Sequence, residues 1–455
     1  MPVSEQHWAA RLALLAEKHR VPGAVLAVAA GDTVSDAAYG VLNQDTGVET
    51  TTDSVFQLGS ITKVWTATLV MQLVDEGLLD LGEPLVSYLP SFRVADPEVT
   101  RTVTTGHLLA HTSGIDGDLF LDTGRGDDCI ERYVAACAEL KQNHPLGATM
   151  SYCNSGYVVL GRLIEVLRGK TWDEAMREHV FEPLQLAYAG TLPEEALLHR
   201  AAVGHVTPPG AEMQVAPMWG LFRSVGPAGL IHATAREALA FAQLHLADGL
   251  APNGTRVLSA ASAQAMREAR VEVPDPYTLG SHWGLGWILM TWDGRSVYGH
   301  DGNTIGQSAY MRVVPDAGVA VCLLTNGGQA RDLFHDVFTE VLSELAGVAP
   351  PPLLEPPSIP PRVDLNRYAG RYVREGLEMT FTVEDHRLVL TTKATGALAE
   401  LSLGDPPPAD VVPVAEDLFV TKGPDDPAWT PVVFFRIQDG TEYVHFGARA
   451  TPRVG

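Results

Sequence analysis

The sequence predicts an α/β unit of the α+β kind, with one antiparallel sheet flanked by helices plus a helical subdomain, followed by a small all-β barrel. Three observations predict it. Strand patterns sit at both ends of residues 1–348 with helical patterns between them, which suits one sheet built from both termini and carrying a helical insertion. The stretch Ala349-Pro-Pro-Pro-Leu-Leu-Glu-Pro-Pro-Ser-Ile-Pro-Pro361 is stiff and extended by composition. Beyond it, from Tyr368 to Val454, short alternating strands replace helices. The expected division is therefore a unit at 1–348, a linker at 349–361 and a barrel at 362–455.

Each element has its own reason. Ser4 to Arg20 reads as an amphipathic helix with Trp8, Leu12, Leu15 and Ala16 on one face. Gly23 to Ala30 is an apolar run of strand length, Gly31-Asp32 a hairpin turn, and Val34 to Leu42 the returning strand. Gly59 and Ser60 look like a turn and a helix start. The helix that follows, Val64 to Gly77, is apolar nearly all round, as a buried helix is. Helical patterns then dominate at Ile130 to Lys141, Ser155 to Arg168 and Trp172 to Val180. Leu192 to Arg223 is irregular and rich in proline and glycine, suiting loops round a cleft. After a helix at Ala233 to Asp248, strands return at Gly286 to Trp292, Ser296 to Gly299, Gln307 to Val314 and Val319 to Thr325. A helix at Ala330 to Ala346 closes the unit. In the barrel, strands are expected at Leu377 to Val383, Arg387 to Thr392, Leu418 to Thr421, Val432 to Ile437 and Glu442 to Phe446.

Composition excludes several classes. The chain has 455 residues, 46% of them hydrophobic, enough for a large core. A net charge of -23 argues against nucleic acid or an anionic membrane as partner. No stretch is long and apolar enough to span a bilayer. The first residues lack a basic head followed by an apolar run, and Cys129, Cys137, Cys153 and Cys322 show no disulfide framework spacing. A cytoplasmic location with reduced thiols is the expectation.

Three short stretches could carry chemistry. Ser60 and Lys63 lie three apart and share a helix face. Burial there lowers a lysine pKa, and a neutral amine can take the serine proton. A capping serine followed by a solvated lysine is the plain alternative. In Ser151-Tyr152-Cys153-Asn154 the tyrosine hydroxyl could relay protons, and the Asn154 amide could hold the lysine or a substrate carbonyl; a turn with a buried tyrosine would look the same. In Gly299-His300-Asp301-Gly302-Asn303-Thr304-Ile305-Gly306, read as a turn before a strand, the glycines let backbone approach a ligand and offer an oxyanion hole. His300 could orient the relay or hold a substrate carboxylate. His107 and His111 have helical zinc-ligand spacing, but no third ligand is evident, and neither a metal nor a cofactor is expected.

The order Ser-x-x-Lys, Tyr-x-Asn, His-x-Gly along one chain resembles the serine β-lactamase and penicillin-binding-protein superfamily, in particular its class C β-lactamase-like hydrolases. Gly77-Leu-Leu-Asp-Leu81, Leu108-Leu-Ala-His-Thr-Ser-Gly114, Pro227-Ala-Gly-Leu230 and Gly284-Leu-Gly-Trp287 agree, so the likeness covers Val21 to Ala346. It implies a transpeptidase-like fold with Ser60 as the acylated nucleophile, Lys63 and Tyr152 sharing the base work, and Asn154 supporting them. It implies oxyanion donors at the Ser60 and Asn303 backbone N–H groups, and substrate contacts from Gly302 and Thr304. His300 stands where β-lactamases have a lysine, which weakens recognition of a lactam carboxylate and points away from antibiotic hydrolysis.

The last segment, opening with Leu365-Asn-Arg-Tyr368-Ala-Gly-Arg-Tyr372, resembles the lipocalin-like barrel appended to some members. Penicillin-binding-protein-type thioesterases, which cyclise and release peptides, share this layout, and transacylases of natural-product assembly are similar. The resemblance thus implies a small-molecule or peptidyl acyl substrate, free or carrier-bound. A cytoplasmic esterase or D-amino-acid amidase is the alternative. A β-lactamase, a non-catalytic binding module and a barrel that carries lipid independently are further ones. Arg449 has two readings, a grip on a substrate carboxylate or a solvated surface side chain.

Overall fold

The structure is a computed structural model and describes residues 5–208, 210–395, 399, 405–423 and 428–454. Helix α1 (Glu5–Lys18) buries Trp8, Leu12, Leu15 and Ala16, the face its sequence predicts. Ser4, the expected first residue of that helix, lies outside the described residues.

Strands β1 (Gly23–Ala30) and β2 (Thr33–Asn43) form the expected hairpin, and β3 (Val48–Glu49) follows. The other strands of this sheet come more than two hundred residues later: β4 (Val271–Glu272), β5 (His282–Trp283), β6 (Ile288–Trp292), β7 (Arg295–Asn303), β8 (Ser308–Val314) and β9 (Val319–Thr325). The order across the sheet is β3-β2-β1-β9-β8-β7-β6-β5-β4, antiparallel throughout. β1 pairs with β9, Ala24 opposite Thr325 and Ala30 opposite Val319, so early and late segments meet in mid-sheet.

Between them lie α2 (Thr62–Asp75), α3 (Asn154–Arg168) and α4 (Ala235–Leu246), and after the sheet comes α5 (Ala330–Ala346). β1 is apolar along its length because both faces are covered. Leu26 and Val28 join the core under α1 and α5, while Val25 and Ala27 join the core of α2 and α4. Two expected helices are broken: Cys129–Ala136 passes into a 3-10 turn, and Trp172–Met176 into a π-helical turn at Arg177–Phe181.

Every residue of α2 from Thr62 to Leu73 is buried, so its polar side chains must find partners inside. Thr66 Oγ1 donates to the Pro227 carbonyl at 2.8 Å, and Thr62 Oγ1 accepts from the Ile231 N–H at 3.1 Å. Trp65 stacks flat on Phe241 of α4, with ring centroids 3.9 Å apart. A pair of this kind adds about 1 kcal/mol beyond its buried area. Two hydrogen bonds and a stacked pair thus hold α2 against the 225–231 segment and α4, which fixes where its first turn points.

Residues 348–364 carry neither helix nor strand. The barrel then runs β10 (Gly370–Arg374), β11 (Leu377–Glu384), β12 (Arg387–Ala394), β13 (Ala409–Ala415), β14 (Leu418–Thr421), β15 (Thr430–Arg436), β16 (Glu442–Phe446) and β17 (Arg449–Val454). It is closed, with β17 pairing back on β10. Tyr368, Tyr372, Phe381, Phe419 and Phe434 fill the interior with mostly edge-on ring contacts. A barrel of eight strands is just wide enough for side chains to fill, and here they do. Among the described residues a pocket of about 160 Å³ opens beside Tyr368, Tyr372 and Phe434, below the roughly 300 Å³ of ordinary ligand pockets.

Candidate active site

The short strand Phe56–Gln57 leads into a 3-10 turn, Gly59–Ile61, which runs on into α2. Gly59 has φ +52°, and a Cβ on it would stand 2.7 Å from the Asn303 nitrogen. Across the gap, a Cβ on Gly302 would stand 1.9 Å from the Leu58 carbonyl oxygen and 3.0 Å from the Ser60 nitrogen. The two glycines let β7 and the Ser60 turn touch backbone to backbone. The Ser60 and Asn303 nitrogens meet at that junction, the arrangement an oxyanion hole requires.

Two sequence expectations change here. The 300–303 segment is not a turn but the continuation of β7, with His300 opposite Met311 and Asn303 opposite Ser308. Gly302 does not line the cleft; its lack of a side chain admits the Ser60 turn instead of a substrate.

Lys63 is wholly buried, with Nζ donating to the Ala228 carbonyl at 2.7 Å and standing 3.1 Å from Ser60 Oγ. Burial pushes its ammonium well below the ordinary lysine range, and the charge of Arg449 pushes the same way. Lys63 Nζ also lies 4.8 Å from the centroid of the Tyr152 ring. The Tyr152 hydroxyl is buried and makes no hydrogen bond of good geometry among the described residues. Burial drives its pKa up, and Ser60 is the neighbour that most favours its ionised form. An amine whose protonated form burial disfavours, a serine beside it and a phenol facing that serine can pass one proton among them.

Asn154 is the first residue of α3, and its amide faces Asp118 Oδ1 at 3.4 Å. It lines the cleft but does not hold Lys63 as anticipated. His300 is buried in the cleft wall, with Nδ1 2.6 Å from the Asp301 carbonyl oxygen. A carbonyl only accepts, so the proton sits on Nδ1 and Nε2 is an acceptor without a partner among the described residues. Burial lowers the His300 pKa to about 3. The residue is therefore neutral where a β-lactamase lysine would be charged. Asp301 is occupied by Arg312, and Thr304 lines the cleft with a buried hydroxyl that has no partner among the described residues.

The cleft holds about 440 Å³. Ser60, Tyr152, Asn154, His300, Asn303 and Thr304 lie on one side, Leu119, Phe120, Leu221 and Leu279 make it apolar, and the barrel supplies Gly447, Ala448 and Arg449. Arg449 is thus not solvated at the surface. Its Nε and Nη2 donate to the two oxygens of Asp118 at 2.7 and 2.8 Å, and the guanidinium lies 5.3 Å from the Tyr152 ring centroid.

Sequence reasoning missed three residues here. Asp118 is buried in a loop without regular structure, and Arg374 of the barrel pairs with it as well. Only the spacing of Ser60, Tyr152 and His300 had a motif to reveal it; these ion pairs join residues 256 and 331 apart. His111 was weighed only as a zinc ligand. His107 instead caps its own short helix through Thr104, while His111, at φ +57°, packs under Tyr152 with ring centroids 4.4 Å apart. Its Nδ1 accepts the Cys153 N–H at 3.0 Å, and burial keeps it neutral.

A profile of the Beta-lactamase family matches residues 8–343. Penicillin-binding protein 4 of Amycolatopsis lactamdurans is 52% identical over 378 residues, 83% of this chain and 99% of its own length. Unguisins hydrolase ungD' of Aspergillus campestris is 26% identical over 328 residues, 68% of this chain and 59% of that one. Among solved structures, SurE superposes with a TM-score of 0.79 at 29% identity, covering 99% of both chains, and SurE with D-Leu with 0.77 at 28%. With the profile spanning the sheet-and-helix unit and a relative more than half identical along nearly all its length, the chain belongs to the β-lactamase and penicillin-binding-protein superfamily of acyl-transferring serine hydrolases.

Proposed function

We propose that this chain is a biosynthetic acyltransferase of the penicillin-binding-protein-type thioesterase kind, a peptide macrocyclase or transacylase working in the cytoplasm. The observation that carries the reading is the buried Lys63 amine 3.1 Å from Ser60 Oγ, its pKa pushed down by burial, with His300, lowered by burial to about 3, in the cleft wall instead of a cationic lysine. Ser60 Oγ attacks the carbonyl carbon of a thioester or ester, free or carrier-bound, and Lys63 Nζ takes its proton. The oxyanion forms between the Ser60 and Asn303 N–H groups. Tyr152 gives its proton to the departing thiolate or alkoxide and recovers one from the Lys63 ammonium. An amine then attacks the acyl-serine, its proton passing through the same pair back to Ser60 Oγ.

Two features support the acceptor side. His300 Nε2, a bare acceptor on the cleft wall, suits an N–H group of the substrate. The remaining N–H groups of Arg449 suit a carboxylate, and the likeness to SurE with D-Leu, which includes the barrel, favours a D-configured residue at the reacting end. The test is incubation with N-acetylcysteamine thioesters of peptides ending in D-leucine, with products weighed by mass spectrometry. Cyclic or amine-captured products are expected. Linear acid alone would overturn acyl transfer to amines and favour the second reading, hydrolysis, which the match to Unguisins hydrolase ungD' supports.

A further inference from the structure

Among the described residues, four contacts besides the Arg449 pair latch the barrel to the cleft. The turn between β10 and β11 brings Arg374 to Asp118 and the Glu375 N–H to Asp116 Oδ2, the latter at 2.8 Å. The turn between β16 and β17 brings the Ala448 carbonyl to the Tyr152 N–H at 3.0 Å and the Ala450 N–H to Ser151 Oγ at 3.2 Å. That second turn holds Gly447 at φ +57° and Ala448 at φ +68°. Alanine is strained there, and it persists where the surroundings over-determine it. The surroundings are Tyr152 itself. The backbone of the relay tyrosine is thus hydrogen-bonded to the barrel, and its ring faces a barrel arginine.

One carboxylate gathers these parts. Asp118 is buried and accepts from Arg374, from Arg449 twice and from the Asn154 amide. Without it Arg374, 8% exposed, and Arg449, 21% exposed, would lose their counter-charge. We propose that Asp118 is a positioning residue: it fixes the Arg449 guanidinium against the Tyr152 ring and so makes the barrel a working half of the catalytic centre. The proposal rests on the reading in which Ser60, Lys63 and Tyr152 carry acylation.

The groups around Lys63 define what a change should do. Arg449 disfavours the Lys63 charge while Cys153 and Asp118 favour it; His111 and His300, kept neutral by burial, add no charge, and the Tyr152 and Tyr157 rings face the amine. A fixed Arg449 charge disfavours protonation of Lys63, whereas the Asp118 charge taken alone favours it. Loss of the arginine and loss of the aspartate therefore push in opposite directions if they act merely as charges. They push in the same direction if Asp118 acts by holding Arg449 in place.

The experiment is the pH dependence of kcat/KM with p-nitrophenyl acetate for the full chain and for Arg449→Gln, Asp118→Asn and Asp118→Glu, with folding checked by circular dichroism. Arg449→Gln is expected to move the acid limb to higher pH by about one unit. Asp118→Asn is expected to follow it upward with a roughly tenfold loss of kcat/KM, and Asp118→Glu to recover most of both. A downward shift for Asp118→Asn, or a profile equal to the parent's, overturns the positioning role. Should Asp118→Asn not fold, Arg449→Lys replaces it. That variant keeps the charge without the bidentate pairing, so an upward shift supports the proposal and an unchanged profile overturns it. Ser60→Ala is run alongside: if it keeps activity, the acylation reading has failed, whatever the Asp118 variants do.

Discussion

Ser60 and Lys63 are held by the sheet unit alone, on a wall where a dry helix, two glycines and a backbone junction fix the nucleophile and its base. Arg449 and Ala448 face them from a wall made by the barrel, held by a buried carboxylate, two arginines and a strained turn. The first wall works by excluding water, so that an amine loses its proton. The second works by importing charge, which must be compensated as it is buried. The difference predicts separate symptoms: damage to the sheet wall should abolish chemistry, and damage to the barrel wall should tune it.

The largest effect should come from Ser60→Ala. It is expected to lower kcat for a p-nitrophenyl ester by about a thousandfold or more and to abolish the acyl adduct seen by intact mass. Retained turnover would remove the sheet wall from the chemistry. Next comes Gly302→Ala, where the new Cβ meets the Leu58 carbonyl oxygen at 1.9 Å. Separating β7 from the Ser60 turn should cost about a hundredfold in kcat with the barrel still folded. An active Gly302→Ala would mean the junction is not the oxyanion site.

Acid should reveal a third, smaller contrast. His232 has its pKa lowered to about 4, and His245 and His300 to about 3, by burial in the sheet unit; among the described residues His445, also about 3, is its counterpart in the barrel. Unfolded histidine titrates near 6.5. Above that value both states are neutral and nothing is gained or lost. Below it the unfolded chain binds protons the folded one refuses, so stability falls progressively from pH 6.5 toward 3. Thermal melting followed by tryptophan fluorescence, which reads mostly the sheet unit, should drop earlier in this window than barrel-specific signals. Coincident curves would show that the two walls unfold as one.

The smallest effect is expected for Ser151→Ala, which strands the buried Ala450 N–H. It should lower stability by about 1 kcal/mol and shift KM more than kcat. A kcat collapse instead would move this barrel contact into the first category.

Much of the sheet wall was legible because local pattern and final position coincide there. The eight-residue apolar run of β1 announces a strand covered on both faces, and the greasy α2 announces burial of whatever its first turn carries. Ser60, Lys63, Tyr152, Asn154 and His300 stand at spacings that sequence alone exposes, and all meet at the cleft. The barrel wall was not legible in the same way. β13 and β17 contain Pro413 and Pro452, which read against a strand; Pro413 is accommodated at a register shift. β10, Gly-Arg-Tyr-Val-Arg, is too short and too charged to stand out. Asp118 and Arg374 have no pattern at all, since an ion pair across hundreds of residues leaves no trace in local spacing; Arg449 is readable as an arginine that could reach the cleft, but its partner is not.

The distance between Asp118 and Arg449 also sets an order of events during synthesis. The helix bearing Ser60 and Lys63, and the loop bearing Asp118, leave the ribosome long before Arg449 does. Until β17 has emerged and closed onto β10, Asp118 lacks both arginines and Tyr152 lacks its barrel contact. The growing chain thus carries its nucleophile early and completes the surroundings of Tyr152 only with its last strand.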